Sequence, residues 1–380
     1  MERTPGAVVL PIDVAQLIME TLASMGDFRS LRTCSKASTT FREICSKHTF
    51  ASVTILDPSY LCASKIYPIL LIQQLKNMLE VNPTLSACIK ELVIMGGVMY
   101  SQDLPIILDK LQKIESLVIT SRYQHYTIGW KTLSGPLQTS LRRICTRLTN
   151  FNLDNIEGFP PLILAVVTSL RTLAMEYVEI DPLVLQSPHD SLESLDVATL
   201  ECFTCALEIS SVGQLEFLRV CMNAFSGLRT LTLNISDNES EDHVPFNLFD
   251  YLHPSALNTL QHINLCFTMN EEYDLYHGFC SELQKLASAK CPIVTCAILV
   301  LPYVSLDDVE YFLRPALWAP LDEVMTTSNF AYLRQVTLQI SPVLERSGPS
   351  IGTFGPQLAK VLEGVFGGMS KPLIEFSVNK

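Results

Sequence analysis

Charge is scarce in this sequence: Asp, Glu, Lys and Arg make up 17% of its 380 residues against 48% for apolar ones. That balance excludes extended disorder and leaves abundant material for a core. Long apolar runs are missing as well. The longest uncharged run of the C-terminal third, Cys291 to Leu306, is broken by Pro292 and Pro302, falls short of a bilayer span, and gives no expectation of a membrane segment. Met1-Glu2-Arg3-Thr4-Pro5 is not followed by a signal-like apolar stretch, so export is not expected either. Twelve cysteines then read as reduced thiols packed as small apolar side chains. The sequons Asn234-Ile235-Ser236 and Asn238-Glu239-Ser240 carry no meaning without secretion. No basic import cluster is present, which leaves a cytoplasmic or nuclear protein. The formal net charge of −12 argues against nucleic acid and makes a basic partner electrostatically easier than an acidic one.

Assembled chemistry is the next absence. Gly96-Gly97 lacks the Lys-Ser/Thr of a phosphate loop, and the seven histidines show no metal-ligand spacing. Cys202-Phe203-Thr204-Cys205 has the spacing of half a zinc site, but no second pair follows at a matching distance, so structural thiols are expected. Gly348-Pro349-Ser350-Ile351-Gly352 matches the nucleophile-elbow string, which needs a strand just before it and a helix just after. Leu344-Glu345-Arg346-Ser347 and Thr353-Phe354-Gly355-Pro356 suggest neither, and a flexible loop is expected. Arg142, Arg143 and Arg147 read as a solvated basic face. No catalytic residue, cofactor or metal site is expected.

What the chain does have begins at Leu10. Pro11 suits a first helical turn, where its missing N–H leaves nothing unpaired, and Asp13 sits by the positive end of the dipole. Val14, Leu17, Ile18, Thr21, Leu22 and Met25 recur at helical spacing, and Gly26 ends the helix. Asp27 is placed to cap a short second helix with Phe28, Leu31 and Cys34; Ser35 is placed to cap a third with Phe41, Ile44, Cys45 and His48. Phe50, Val53 and Ile55 alternate like a departing strand. Three helices in so few residues bury little, and Ile18, Leu22 and Leu31 exceed what such a bundle needs inside, which suggests a docking face.

After a linker and a helix with Ile69, Ile72, Leu75, Met78 and Leu79, one phrase returns: apolar, two variable, apolar, one variable, apolar. It reads Ile89-Leu92-Ile94, Ile114-Leu117-Ile119, Leu148-Phe151-Leu153, Leu170-Leu173-Met175, Leu192-Leu195-Val197, Leu215-Leu218-Val220, Leu228-Leu231-Leu233, Leu260-Ile263-Leu265 and Leu333-Val336-Leu338. Ile293-Cys296-Ile298 and Leu373-Phe376-Val378 are weaker copies. Several begin 22 to 25 residues apart, and the spacing stretches to about 30 or 40 residues in the last third, which predicts short strands stacking into a parallel sheet with returning segments outside it. Leu104, Ile107, Leu108 and Leu111, and likewise Phe279, Leu283, Leu286 and Ala287, predict helices in those returns. Acidic clusters follow three late strands: Asp237, Glu239, Glu241 and Asp242; Glu271 and Glu272; Asp307 and Asp308. Stacked on one edge they would form a negative rim for a basic protein ligand.

Two resemblances follow from these residues. Leu10-Pro11, Asp13, Val14, Ile18, Leu22, Asp27, Leu31, Ser35 and Phe41, with Phe50-Ala51-Ser52-Val53, are similar to the F-box. The later phrases resemble degenerate leucine-rich repeats of the ribonuclease-inhibitor type, with the usual asparagine in register once, at Asn223. The fold expected is α/β, a small three-helix F-box over 8–52, a linker and capping helix over 53–82, and an irregular leucine-rich-repeat solenoid with a parallel sheet over 83–380. The resemblance implies a non-catalytic substrate receptor of Skp–cullin–F-box ubiquitin ligases. Leu10, Pro11, Val14, Ile18, Leu22 and Leu31 would then lie on or support the interface with a Skp-type adaptor, and through it a cullin, while the repeats hold a protein substrate. The alternative is a leucine-rich-repeat binding scaffold acting without a ligase.

Overall fold

Pro11 is the N-cap of α1 (Ile12–Ser24), with Asp13 in its first turn. In the computed structural model, residues 11–56, 69–121, 127–180, 197–208, 211–236, 247–269, 275–304, 309–326, 330–341, 343–344, 351–366 and 373–378 are described. The backbone clusters into two compact units, residues 1–128 with 132–150, and residues 129–131 with 151–380. Both are α/β.

In the first unit, α1 stops in a Schellman turn. Gly26 takes φ +71°, a conformation natural to glycine, its N–H donates to Ala23 O, and the Asp27 N–H donates to Leu22 O at 2.9 Å. Asp27 then caps α2 (Phe28–Cys34) by accepting the Ser30 N–H at 3.0 Å and the Ser30 hydroxyl at 2.6 Å. The cap of α3 (Thr39–Thr49) is Ser38, whose hydroxyl accepts the Phe41 N–H at 3.2 Å. Ser35, expected in that role, ends α2 instead. Its φ/ψ of −60°/−17° is helical and its N–H still donates to Leu31 O, whereas an N-cap needs the extended backbone that Ser38 has. Met19, Leu31, Ile44 and Cys45 form the interior of the three helices, with Leu22, Phe28 and Phe41 packed around them.

Beyond α3 the unit alternates strands and helices: β1 (Ser52–Leu56), β2 (Ile69–Leu71), α4 (Ile72–Val81), β3 (Glu91–Met95), α5 (Asp103–Lys110), β4 (Ser116–Thr120) and α6 (Gly135–Cys145). The strands run parallel in the order β2-β1-β3-β4. Register aligns Val53 with Leu92 and Leu117, and Ile55 with Ile94 and Ile119, all of them buried. The predicted helical face Leu104, Ile107 and Leu108 lies on α5 and is buried too.

Short strands β5 (Ile128–Gly129) and β7 (Ile156–Glu157) flank the boundary. The second unit contains β6 (Asn150–Asp154), α7 (Leu162–Ala165), β8 (Thr172–Glu176), β9 (Cys202–Glu208), α8 (Val212–Ala224), β10 (Thr230–Ser236), β11 (His262–Met269), α9 (Leu275–Ser288) and β12 (Thr295–Val304). It ends with α10 (Val309–Phe312), α11 (Pro315–Thr326), β13 (Gln335–Ile340), β14 (Val343–Leu344), α12 (Ile351–Phe366) and β15 (Leu373–Val378). Its strand order is β6-β8-β9-β10-β11-β12-β13-β15, parallel from β8 onward, with β14 paired to β12. Leu173, Phe203, Leu231, Ile263, Cys296 and Val336 share one register row, and Met175, Cys205, Leu233, Leu265, Ile298 and Leu338 the next. Both rows are buried.

Among the described residues, eight strands are entered in the same way. One carbonyl on the residue before a strand accepts two successive N–H groups at the entry to the next strand. Ala51, Lys90 and Glu115 do this in the first unit, and Arg171, Glu201, Arg229, Gln261 and Val294 in the second, at 2.8 to 3.3 Å.

Two expectations fail here. Leu215, Leu218, Val220 and Asn223 lie on α8, where Ser211 caps the helix by accepting the Gln214 N–H. Phe217, Leu218, Cys221, Met222 and Phe225 bury one helical face, so the leucine spacing had a helical period. The strand of that region is β9, whose phrase Leu200-Phe203-Cys205 puts a thiol where a leucine stood elsewhere. The 22 to 25 residue spacing holds from β3 to β4 and from β6 to β8, and the strands starting at Thr172, Cys202, Thr230, His262, Thr295 and Gln335 are more widely spaced, in line with the stretched spacing expected of the last third. Of Leu192, Leu195 and Val197, only Val197 is described, and it lies outside any strand.

Candidate functional site

Along α1, successive residues step by about 100°, so Ala15 and Met19 share the inward face, Val14, Ile18 and Met25 flank it on one side, and Leu17 lies opposite it. Ala15 and Met19 are buried. Val14 and Ile18 are each 42% exposed, Leu17 63% and Met25 74%. Exposed Ile12 extends the apolar surface at the start of the helix. Sequence reasoning placed Leu17 and Met25 on the stripe without choosing them as interface residues, and missed Ile12.

The six residues expected at an adaptor interface therefore separate. Pro11, Val14 and Ile18 are exposed, Leu22 is half-buried, Leu31 is sealed in the bundle interior, and Leu10 lies outside the described residues. Leu31 can support such a surface from beneath without touching a partner. The acidic rim, Asp237, Glu239, Glu241, Asp242, Glu271, Glu272, Asp307 and Asp308, also lies outside the described residues. Its positions follow the C-terminal ends of β10, β11 and β12, three neighbouring parallel strands.

A second surface was not anticipated. On the sheet of the second unit, the alternate positions facing away from the buried rows form a depression of about 220 Å³, lined by Thr232, Asn234, Asn264, Cys266, Leu299 and Gln339 among others. Asn264 Nδ2 donates to Thr232 Oγ1 at 3.1 Å across the strands. The available signal was the polar and small residues between the leucines, at the positions a half-buried strand turns outward.

The other motifs have ordinary structural explanations. Cys202 and Cys205 are three apart on β9, so strand alternation sends them to opposite faces and they cannot share a metal. Burial pushes the Cys205 and Cys296 thiols up to about 12. Among the described residues, no three His, Cys, Asp or Glu side chains are grouped to hold a metal ion. Arg143 pairs with Asp109 at 2.9 Å and Arg147 donates to Gln112 O at 2.8 Å, so these two arginines brace the outer layer of the first unit. The loop expected over Gly348–Gly352 needs correcting: α12 begins at Ile351, and β14 ends at Leu344. Ser350 itself lies outside the described residues. No described helix is long and apolar enough to cross a membrane.

No protein-family model matches the sequence, and no curated protein matches it.

Proposed function

We propose that the chain is the substrate-recognition subunit of a Skp–cullin–F-box ubiquitin ligase, its first three helices acting as the F-box and its parallel strands forming an irregular leucine-rich-repeat solenoid. The observation that carries the reading is the outward apolar face of α1. Val14, Leu17, Ile18 and Met25 stay at the surface of a bundle already filled by Met19, Leu31, Ile44 and Cys45. An apolar face beside a satisfied core has the character of a docking surface, and its place on the F-box-like residues supports a Skp-type adaptor as the partner. Buried rows in continuous register and a repeated strand entry support the repeat reading.

In this role the receptor supplies no acid, base or nucleophile. It holds a protein substrate near ubiquitin carried at the far end of the cullin, and so raises the effective concentration of substrate lysines. Co-purification of the full chain with a Skp-type adaptor and cullin tests it, beside Leu10→Ala/Pro11→Ala and Leu17→Glu/Ile18→Glu variants. Capture by the wild type and loss in both variants is the expected result. Absence of capture by the wild type would leave the alternative, a repeat scaffold that acts without a ligase.

A further inference from the structure

We propose that the open face of β10 to β13 binds an extended, uncharged peptide segment of a partner protein through that segment's backbone amides. The inference names a substrate class for the receptor reading, although the surface itself can be tested without any adaptor.

Charge is the first observation. The outward positions are Thr230, Thr232, Asn234 and Ser236 on β10, then His262, Asn264, Cys266 and Thr268 on β11. They continue as Thr295, Ala297, Leu299 and Leu301 on β12, and Gln335, Thr337 and Gln339 on β13. No Asp, Glu, Lys or Arg occurs among them, in a chain whose net charge is −12. The imidazole of His262 is hydrogen-bonded to Thr295 Oγ1 at 2.8 Å. A charged segment laid within these four strands would lose hydration and meet no counter-charge there; the nearest carboxylate residues in register are at the flanks, Glu208 on β9 beside Ser236 and Glu375 on β15 beside Thr337.

Unused hydrogen-bonding capacity is the second. Asn234 and Gln339 are half-buried, yet among the described residues their side-chain amides make no hydrogen bond, and Thr337 is in the same position. A primary amide both donates and accepts, which matches the paired N–H and C=O of a peptide backbone. Asn264 is already oriented by Thr232, so part of the surface is fixed before a ligand arrives.

Shape is the third. The depression of about 220 Å³ is below the roughly 300–1,000 Å³ of cavities that enclose small molecules. Neighbouring strands are about 4.8 Å apart, which spreads Asn234, Asn264 and Gln339 across four strands instead of around one point. A segment lying across the strands meets all three. Ala297, Cys266 and Leu299 form a low, mostly apolar floor between them.

The test uses the full chain, immobilised without adaptor and panned against a synthetic random 12-residue peptide library. Retained peptides should be depleted in Lys, Arg, Asp and Glu relative to the input, and the best of them should bind with an affinity unchanged by a tenfold rise in ionic strength. Asn234→Asp/Gln339→Glu keeps the shape and adds charge, while Asn234→Ala/Gln339→Ala removes the amides. Each should weaken binding at least about tenfold, or about 1.4 kcal/mol, with an unchanged melting temperature. Enrichment of charged peptides, no retained peptide, salt-sensitive binding, or wild-type affinity in either variant would overturn the proposal. So would a self-associated chain dispersed by either double substitution, since a second copy would then be the occupant. Loss of adaptor capture alone would leave the peptide result untouched.

Discussion

Lys285 Nζ lies 2.7 Å from Glu282 Oε1, a carboxylate only 1% exposed, and the same ammonium reaches Asp250 at 2.8 Å. Glu282 also accepts the Phe249 N–H at 2.9 Å. α9 is thereby fastened to the segment that follows β10, in a layer where a buried carboxylate would otherwise be expensive. The hydrogen bond to Asp250, followed by that to Glu282, holds the Lys285 pKa above its ordinary value.

Lys285→Met should therefore destabilise the protein, because it leaves the Glu282 charge buried with one N–H partner. The lysine is part-exposed, so the loss should be about 1–3 kcal/mol, less than for a fully buried pair. Glu282→Gln keeps an acceptor for Phe249 and removes the charge, and should be milder. Urea denaturation of both variants checks the order; a larger loss in Glu282→Gln would contradict it.

The two faces of α1 make opposite predictions. Met19→Ala and Leu31→Ala each open a cavity in the bundle interior and should cost about 2–5 kcal/mol. Leu17→Glu or Ile18→Glu changes a side chain that is already exposed, and should alter stability by no more than about 0.5 kcal/mol. Thermal unfolding with far-ultraviolet circular dichroism separates the two classes. Equal losses would mean that the outward face is covered within the chain.

How much of this could be read from the sequence depended on period. Leu228-Leu231-Leu233 and Leu260-Ile263-Leu265 fix β10 and β11 because each phrase is one buried turn residue followed by two strand positions on one face. Leu215-Leu218-Val220 has the same letters yet is helical, since Phe217, Cys221, Met222 and Phe225 supply apolar residues that a strand could bury on only one face. β9 was missed because Cys205 stands where leucine was sought, although a buried thiol packs as a small hydrophobe. Gly26 and Asp27 were legible, as a left-handed turn and a carboxylate cap have few substitutes. Ser35 and Ser38 could not be told apart from composition, because the choice rests on where the backbone turns extended. For the candidate site, the apolar side of α1 was visible in its spacing. The amide face of β10 to β13 was not, because its residues are the variable positions between the leucines, and only the register shows that they adjoin.

Gly227 lies in the approach to β10, where an added Cβ would fall on the carbonyl oxygen of Ala198. The obstacle is backbone, so no rotamer change relieves it. Gly227→Ala should destabilise the protein by about 1–3 kcal/mol and loosen β10. Faster amide hydrogen exchange at Leu231 and Leu233, with β1 to β4 unchanged, is the expected signature; a stability equal to the wild type would refute it.

The buried thiols set an alkaline limit. Burial raises Cys145, Cys205 and Cys296 to about 12, whereas an unfolded thiol titrates near 8.5. The folded state therefore favours the protonated form. The stability this confers is fully present below the unfolded value and is lost as pH rises from about 8.5 towards 12. Unfolding free energy should accordingly be flat across neutral pH and fall through that alkaline window, with a shallower fall in Cys205→Ala/Cys296→Ala once its own loss of packing is subtracted. At neutral pH, iodoacetamide should label the partly exposed Cys34, Cys88, Cys202 and Cys266 in the folded protein and reach Cys145, Cys205 and Cys296 only after denaturation. Rapid labelling of Cys205 or Cys296 in the folded chain would show that the buried row of the sheet opens locally, which the register of β9 to β13 does not allow without separating strands.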